Sequence, residues 1–198
     1  SLELEDGYIL ADGKPAISLE ELAMESYYSL GNSSVLTAEV SKQVKKNTVA
    51  SGCCFVDIEV DMKLGKIKVL DIINVHDSGT LLNPQLAEMQ VHGGMSMGMG
   101  YGLSEQLILD EKTGRPLNGT LLDYKMMTTM DTPDLAVEFV ELNDPMGPYG
   151  NKALGEPPAI PGAPAIRNAV LHATGVGFSE IPLTPQRLIE GFTKAGLI

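Results

Sequence analysis

The chain has 198 residues, 43% hydrophobic and 20% charged, an ordinary balance for a globular protein with enough apolar material for a sizeable core. Its formal net charge of -12 argues against nucleic acid and against an anionic membrane surface, both of which call for basic patches. The two cysteines, Cys53 and Cys54, are adjacent, so they offer neither a disulfide framework nor a CxxC metal pair, and they fall short of the roughly four thiolates of an iron–sulfur cluster.

In chain order, Tyr8 to Pro15 carries Ala-Asp-Gly between short apolar stretches and predicts a hairpin. Ser18-Leu-Glu-Glu21 is a capping box that opens a helix to about Leu30, with Gly31 as its stop. Ser34 to Val40 predicts a strand and Lys42 to Asn47 a polar loop. Ser51 to Asp61 alternates Val56, Ile58 and Val60 with Asp57, Glu59 and Asp61, as a half-buried strand does, and Phe55 alone breaks the polar series. Lys63-Leu-Gly-Lys66 makes the turn into a second strand, Ile67 to Val75, rich in β-branched residues.

Asn83-Pro84 breaks the chain before a long helix, expected over about Leu86 to Leu107. Five glycines lie inside it, each costing about 1 kcal/mol relative to alanine. Gly94, Gly98 and Gly102 follow an i, i+4 spacing and line one face. Such a bare face serves tight packing of another element or close approach of a flat ligand. Glu111-Lys-Thr-Gly114 reads as a turn after a short strand, Asp123 to Met127 as extended, Met130 to Pro133 as a loop and Ala136 to Leu142 as a strand. A Pro/Gly-rich loop spans Asn143 to Pro164. An apolar helix follows over Ala165 to Thr174, stopped by Gly175, and Thr184-Pro185 caps a last helix to Ala195. Strands and helices mix without strict alternation, so the fold class is α+β: a mixed or antiparallel sheet packed with helices, one of them long and glycine-rich. The chain is read as one domain over residues 1–198.

The longest apolar run, Gly93 to Leu103, is too short to span a bilayer, and neither a signal peptide nor a transit segment is visible. With its thiol usage, this suits a cytoplasmic location. The chain opens with Ser1 and no initiator Met, as a processed product or a piece of a longer protein does. The histidines, His76, His92 and His172, are scattered without metal spacing; His76-Asp77 ends a strand, either as site residues or as a local hydrogen-bonded pair, and no residue is assigned to a metal. Gly98-Met-Gly-Tyr-Gly102 lies inside a helix and is no dinucleotide fingerprint. The methionines at 95, 97, 99, 126, 127 and 130 are read as adaptable core filler. Chemistry concentrates in Gly147-Pro-Tyr-Gly-Asn-Lys-Ala-Leu-Gly-Glu-Pro-Pro158. Pro157 disfavours helical backbone at Glu156, and Gly155 leaves room beside it. A carboxylate on a stiff, open turn suits a general base; it equally suits a solvated surface loop.

Four stretches in order resemble the C-terminal part of the molybdenum-binding subunit of the xanthine dehydrogenase and aldehyde oxidase family. They are Val56 to Asp61 with Gly65 to Val69, Asp77 to Pro84, Gln90 to Gly94, and Asn151 to Pro158. The resemblance runs from about residue 50 to the C-terminus and is nearest to bacterial xanthine or purine dehydrogenases. It implies a molybdenum-cofactor-binding fold and a part in water-dependent hydroxylation of a purine or related N-heterocycle. Glu156 would be the catalytic base, taking a proton from a hydroxyl on molybdenum, with its pKa tuned by burial. Gln90 would contact the pterin, and Gly155 would let the loop approach the metal. The implied cofactor is molybdopterin or its cytosine dinucleotide form, with none held tightly by these 198 residues alone. The implied partners are the N-terminal part of the subunit, iron–sulfur and FAD modules, and the heterocycle substrate. Two departures stand out: Met89 replaces a usual glycine, and Met97 replaces a usual glutamine. The alternatives are an aldehyde or carbon monoxide oxidoreductase of the same family, or a non-catalytic scaffold subunit with the same fold.

Overall fold

The computed structural model describes residues 1–28, 35–41, 43 and 46–198. The chain divides into two compact units, Ser1–Gln43 and Val44–Ile198.

The first unit is a three-stranded antiparallel meander followed by a helix: β1 (Leu2–Glu5), β2 (Tyr8–Ala11), β3 (Lys14–Ser18) and α1 (Leu19–Tyr28). Both hairpins turn on Asp-Gly. Asp6 and Gly7 (φ 46° and 78°) and Asp12 and Gly13 (φ 50° and 77°) take the left-handed conformations that a two-residue turn between twisted strands requires. The expected hairpin is therefore present, and β1 extends it. The capping box forms as read: Ser18 Oγ accepts from the Glu21 amide at 3.0 Å, and Glu21 accepts from the Ser18 amide at 3.1 Å. The stop at Gly31 lies outside the described residues, and residues 35–40 form no strand, contrary to expectation.

The second unit holds the core. β4 (Ser51–Asp61) and β5 (Lys66–Asp77) make the expected hairpin, paired from Ser51–Asp77 to Asp61–Lys66 with a bulge at Asp57/Ile58. Val56, Ile58 and Val60 turn inward while Phe55 stays exposed on the polar face. α2 (Pro84–Leu103) then crosses over, and β6 (Leu135–Phe139) pairs parallel to β5, Ile72 opposite Leu135. Parallel pairing needs such a crossover. β6 stops short of Leu142. α3 (Gly162–Thr174) ends on left-handed Gly175, and α4 (Pro185–Lys194) starts from Thr184, whose side chain accepts from the Arg187 amide. Ile72, Val91, Met95, Met99, Ile166, Val170, Leu188 and Phe192 are fully buried together, with Phe178 edge-on to Phe192.

Several expectations need correction. α2 ends at Leu103, before Leu107, because Gly102 O accepts from Leu183 N at 2.7 Å and Glu105 folds back over Gly100, where Tyr124 Oη donates to it. Asp123 to Met127 is turn and irregular backbone, with Asp123 N and Tyr124 N both bonded to Thr120 O. The short strand before Glu111 is reduced to a single bridge, Leu109–Pro116. Met95 and Met99 fill the core, but Met97, Met126 and Met130 are exposed.

The glycine face of α2 is occupied by protein. A Cβ at Gly98 would lie 3.0 Å from Ala159 O and 3.1 Å from Gly162 Cα, and one at Gly94 would lie 2.8 Å from the Pro158 carbonyl carbon. Tight packing thus accounts for this stripe: Gly94 and Gly98 pack against the end of the loop that carries Glu156, and Gly98 and Gly102 against the start of α3.

Candidate functional site

The loop between β6 and α3 runs across the end of β5 and the N-terminal half of α2, and it is pinned along its length. Thr80 N and Asp144 N both donate to Gly150 O, at 2.9 and 3.0 Å. Asn151 bridges to Gly79, and Lys152 N donates to Ser78 O at 2.7 Å. Lys152 Nζ forms an ion pair with Asp77 Oδ2, and Asp77 Oδ1 accepts from Gly79 N at 3.0 Å. The hydrogen bond from Lys152 holds the Asp77 carboxyl below its ordinary range. Tyr149, a non-glycine residue at φ 54°, makes the bend before these anchors.

Further along, Gln90 Nε2 donates to Gly155 O at 2.9 Å, and Asn74 Nδ2 donates to Pro158 O at 3.1 Å. Ala159 N returns to Glu156 O at 3.0 Å, closing a turn with Glu156 first and Pro157 second. Pro158 is buried against Gly94. Asn83 sets the direction of α2, its side chain accepting from Leu86 N at 3.0 Å with Pro84 in the first turn.

Glu156, Gln90 and Gly155 are therefore brought to one place, the open side of the N-terminal half of α2. None of the three is buried, so the burial expected at Glu156 is not provided among the described residues. A Cβ on Gly155 or on Gly93 would meet nothing within 4 Å. Beside Gln90 lies a cleft of about 230 Å³, lined among others by Ser78, Leu86, Lys152 and Leu154. A carboxylate, a primary amide and bare backbone on one open face fit a large planar polar group approaching from outside the chain.

The histidines stay apart from this face. His76 and Asp77 do not form a local pair: Asp77 is engaged by Lys152 and Gly79, while His76 is buried against Gly52 with neither ring nitrogen bonded among the described residues. Burial lowers the His76 pKa and favours the neutral ring. His92 contacts Leu135 O at 3.2 Å, and His172 is exposed. Among the described residues no three His, Cys, Asp or Glu side chains cluster as metal ligands, and no helix is long and apolar enough to cross a membrane. Asn74 and the pairing of Asp77 with Lys152 escaped the sequence reading. The available signal for Asn74 was its phase: it shares the inward parity of Ile72 in β5.

Fold and site together define a cofactor-binding domain. The chain belongs to the molybdopterin cofactor-binding domain family, whose model matches residues 1–133. It is 54% identical over 185 residues to the xanthine dehydrogenase molybdenum-binding subunit of Escherichia coli O157:H7, covering 93% of this chain and 25% of the relative. It is 34% identical over 152 residues to an aldehyde oxidoreductase molybdenum-binding subunit of Escherichia coli K12, covering 76% of this chain and 20% of the relative. Among solved structures it matches a CO dehydrogenase from Oligotropha carboxidovorans with a TM-score of 0.80 and 27% identity, over 99% of this chain and 25% of that one. The chain thus spans 20–25% of the length of these relatives. The family match begins at residue 1, so the likeness extends further towards the N-terminus than the four motifs indicated.

Proposed function

We propose that residues 1–198 are the C-terminal cofactor-binding domain of the molybdenum subunit of a xanthine-dehydrogenase-like hydroxylase, with Glu156 as its catalytic base. The identity of 54% to a protein named for xanthine dehydrogenase, against 34% to an aldehyde oxidoreductase, favours a purine or related N-heterocycle as substrate. The observation that carries the assignment of the base is the 2.9 Å hydrogen bond from Gln90 Nε2 to Gly155 O, which ties the residue before Glu156 to the open side of α2.

The molybdenum–pterin group, as molybdopterin or its cytosine dinucleotide form, supplies the two-electron oxidation when bound. The residues of this chain do the rest of what is assigned here. Gln90 spends one N–H on the loop and would offer the rest of its amide to the pterin. Gly155 and Gly93 leave space for the ring system. The Glu156 carboxylate accepts a proton as the reaction begins, and the remaining segments of the subunit complete the site around it. Iron–sulfur and FAD modules of a cytoplasmic complex carry the electrons away.

Glu156→Gln in the complete complex keeps the size and polarity of the side chain and removes its basicity. Turnover of a purine substrate is expected to be lost with molybdenum content unchanged. Wild-type turnover in that variant rejects the base, and a substrate panel in which only aldehydes react rejects the purine reading.

A further inference from the structure

The inward face of β5 carries Ile72, Asn74 and His76 in alternate positions. Ile72 belongs to the hydrophobic core, and an aliphatic residue would continue it at 74. Asn74 is instead fully buried, and its Oδ1 has no hydrogen-bond partner among the described residues. A buried, unpaired amide carbonyl opposes folding, so the side chain is a liability unless its other half has a role. The partner of that other half is unambiguous. Pro158 O can only accept, so the amide nitrogen must face it, and it does at 3.1 Å across 84 residues of sequence.

The place it reaches is specific. Pro157 and Pro158 have no N–H, so the stretch after Glu156 has no amide to bond into the protein until Ala159. Its carbonyls are the available handles: Glu156 O is used inside the turn by Ala159 N, and Pro158 O is taken by Asn74. Gln90 holds Gly155 O on the other side of Glu156. The carboxylate is thus suspended between two primary amides, one from α2 and one from β5, each gripping a backbone carbonyl within two residues of it. Resting on the reading of Glu156 as the base, we infer that Asn74 is a positioning residue that fixes the base-bearing turn at the cofactor wall. It touches neither cofactor nor substrate and acts through Pro158.

The test uses the complete molybdenum-containing enzyme. Asn74→Leu fills the buried volume and removes the donor and the unpaired carbonyl together. The expected result is unchanged molybdenum content and a Tm changed little, because removal of the unpaired Asn74 carbonyl offsets the loss of the partner of Pro158 O. KM should move by less than about twofold and kcat should fall by about 10- to 100-fold, the scale of misplacing a reacting group by about 1 Å. The Ala159 amide, followed by hydrogen exchange, should lose protection about 10-fold or more. If Asn74→Leu does not accumulate, Asn74→Ser, too short to reach Pro158 O, replaces it with the same expectations for kcat and exchange. Loss of Tm and molybdenum in step with kcat means a structural role alone and overturns the inference, as does unchanged kcat with unchanged Ala159 exchange. Glu156→Gln, run in parallel, separates the two ideas: wild-type turnover there removes the base, while Ala159 exchange in the Asn74 variant still decides whether that amide holds the turn.

Discussion

Lys152 and Asp77 lie 75 residues apart in sequence and meet as a nearly buried ion pair, their side chains 10% and 11% exposed. The pair fastens the middle of the Glu156 loop to the end of β5, and neither partner has another charged neighbour within ion-pair distance among the described residues.

Replacing one partner strands the other charge. Lys152→Met leaves the Asp77 carboxylate in a poorly hydrated place with backbone amides alone, those of Gly79 and Leu142, to satisfy it, and the expected loss of stability is about 3–5 kcal/mol. Combining it with Asp77→Asn removes the buried charge and keeps an acceptor for Gly79, so the double variant should recover part of that loss. Urea midpoints of the three proteins measure it; a double variant no more stable than Lys152→Met contradicts the ion-pair account.

The pH dependence of the same pair has a definite sign. The hydrogen bond from Lys152 depresses the Asp77 pKa below its ordinary 3.8, and burial opposes this without reversing it. A group with a depressed folded pKa contributes stability that is complete above the unfolded value and is lost as pH falls through the folded one. The stability difference between wild type and Asp77→Asn should therefore be flat at neutral pH and shrink only below about pH 4. A difference that shrinks between pH 6 and 8 would contradict the assignment.

Adjacent Cys53 and Cys54 point to opposite faces of β4, one exposed and one packed against the core. Burial, with a smaller contribution from Cys53, pushes the Cys54 thiol up to about 11, so at pH 8 only about one molecule in a thousand carries its thiolate. Brief alkylation of the folded chain at pH 8 should label Cys53 well ahead of Cys54, and the gap should close in urea. Mass spectrometry of the peptide holding both cysteines reads single against double labelling, and equal rates in the folded chain contradict this burial.

What the sequence made legible was local. The capping box at Ser18 and Glu21, the Asn83-Pro84 and Thr184-Pro185 starts and the β4–β5 hairpin rest on interactions within a few residues, and all of them formed. The partnership of β6 with β5 was not legible, because a parallel pair is set by the packing of the intervening helix and not by a turn. The exposed Met97, Met126 and Met130 defeated composition for a related reason: hydrophobicity says that a residue wants cover, not whether this chain supplies it. At the site, motif order singled out Gln90, Gly155 and Glu156 but not the hydrogen bond that joins Gln90 to Gly155, and Asn74 was hidden inside a strand read for its β-branched residues.

Two neighbouring glycines of α2 should respond to alanine in opposite directions. At Gly93 a Cβ meets nothing within 4 Å, so Gly93→Ala gains helix propensity alone, about 1 kcal/mol of added stability for the chain. At Gly94 the Cβ would press on the Pro158 ring and lie 2.8 Å from its carbonyl carbon and 3.0 Å from Ala159 N, backbone atoms that cannot rotate away. Overpacking of this kind costs about 1–3 kcal/mol and outweighs the propensity gain. The chain can relieve it only by moving Pro158, which is the residue Asn74 holds and which lies two places beyond Glu156. Gly94→Ala should therefore lower the urea midpoint and also loosen the Ala159 amide in hydrogen exchange, while Gly93→Ala raises the midpoint and leaves that amide as it was. Equal midpoints for the two variants would mean that the glycine face of α2 is not in contact with the Glu156 turn.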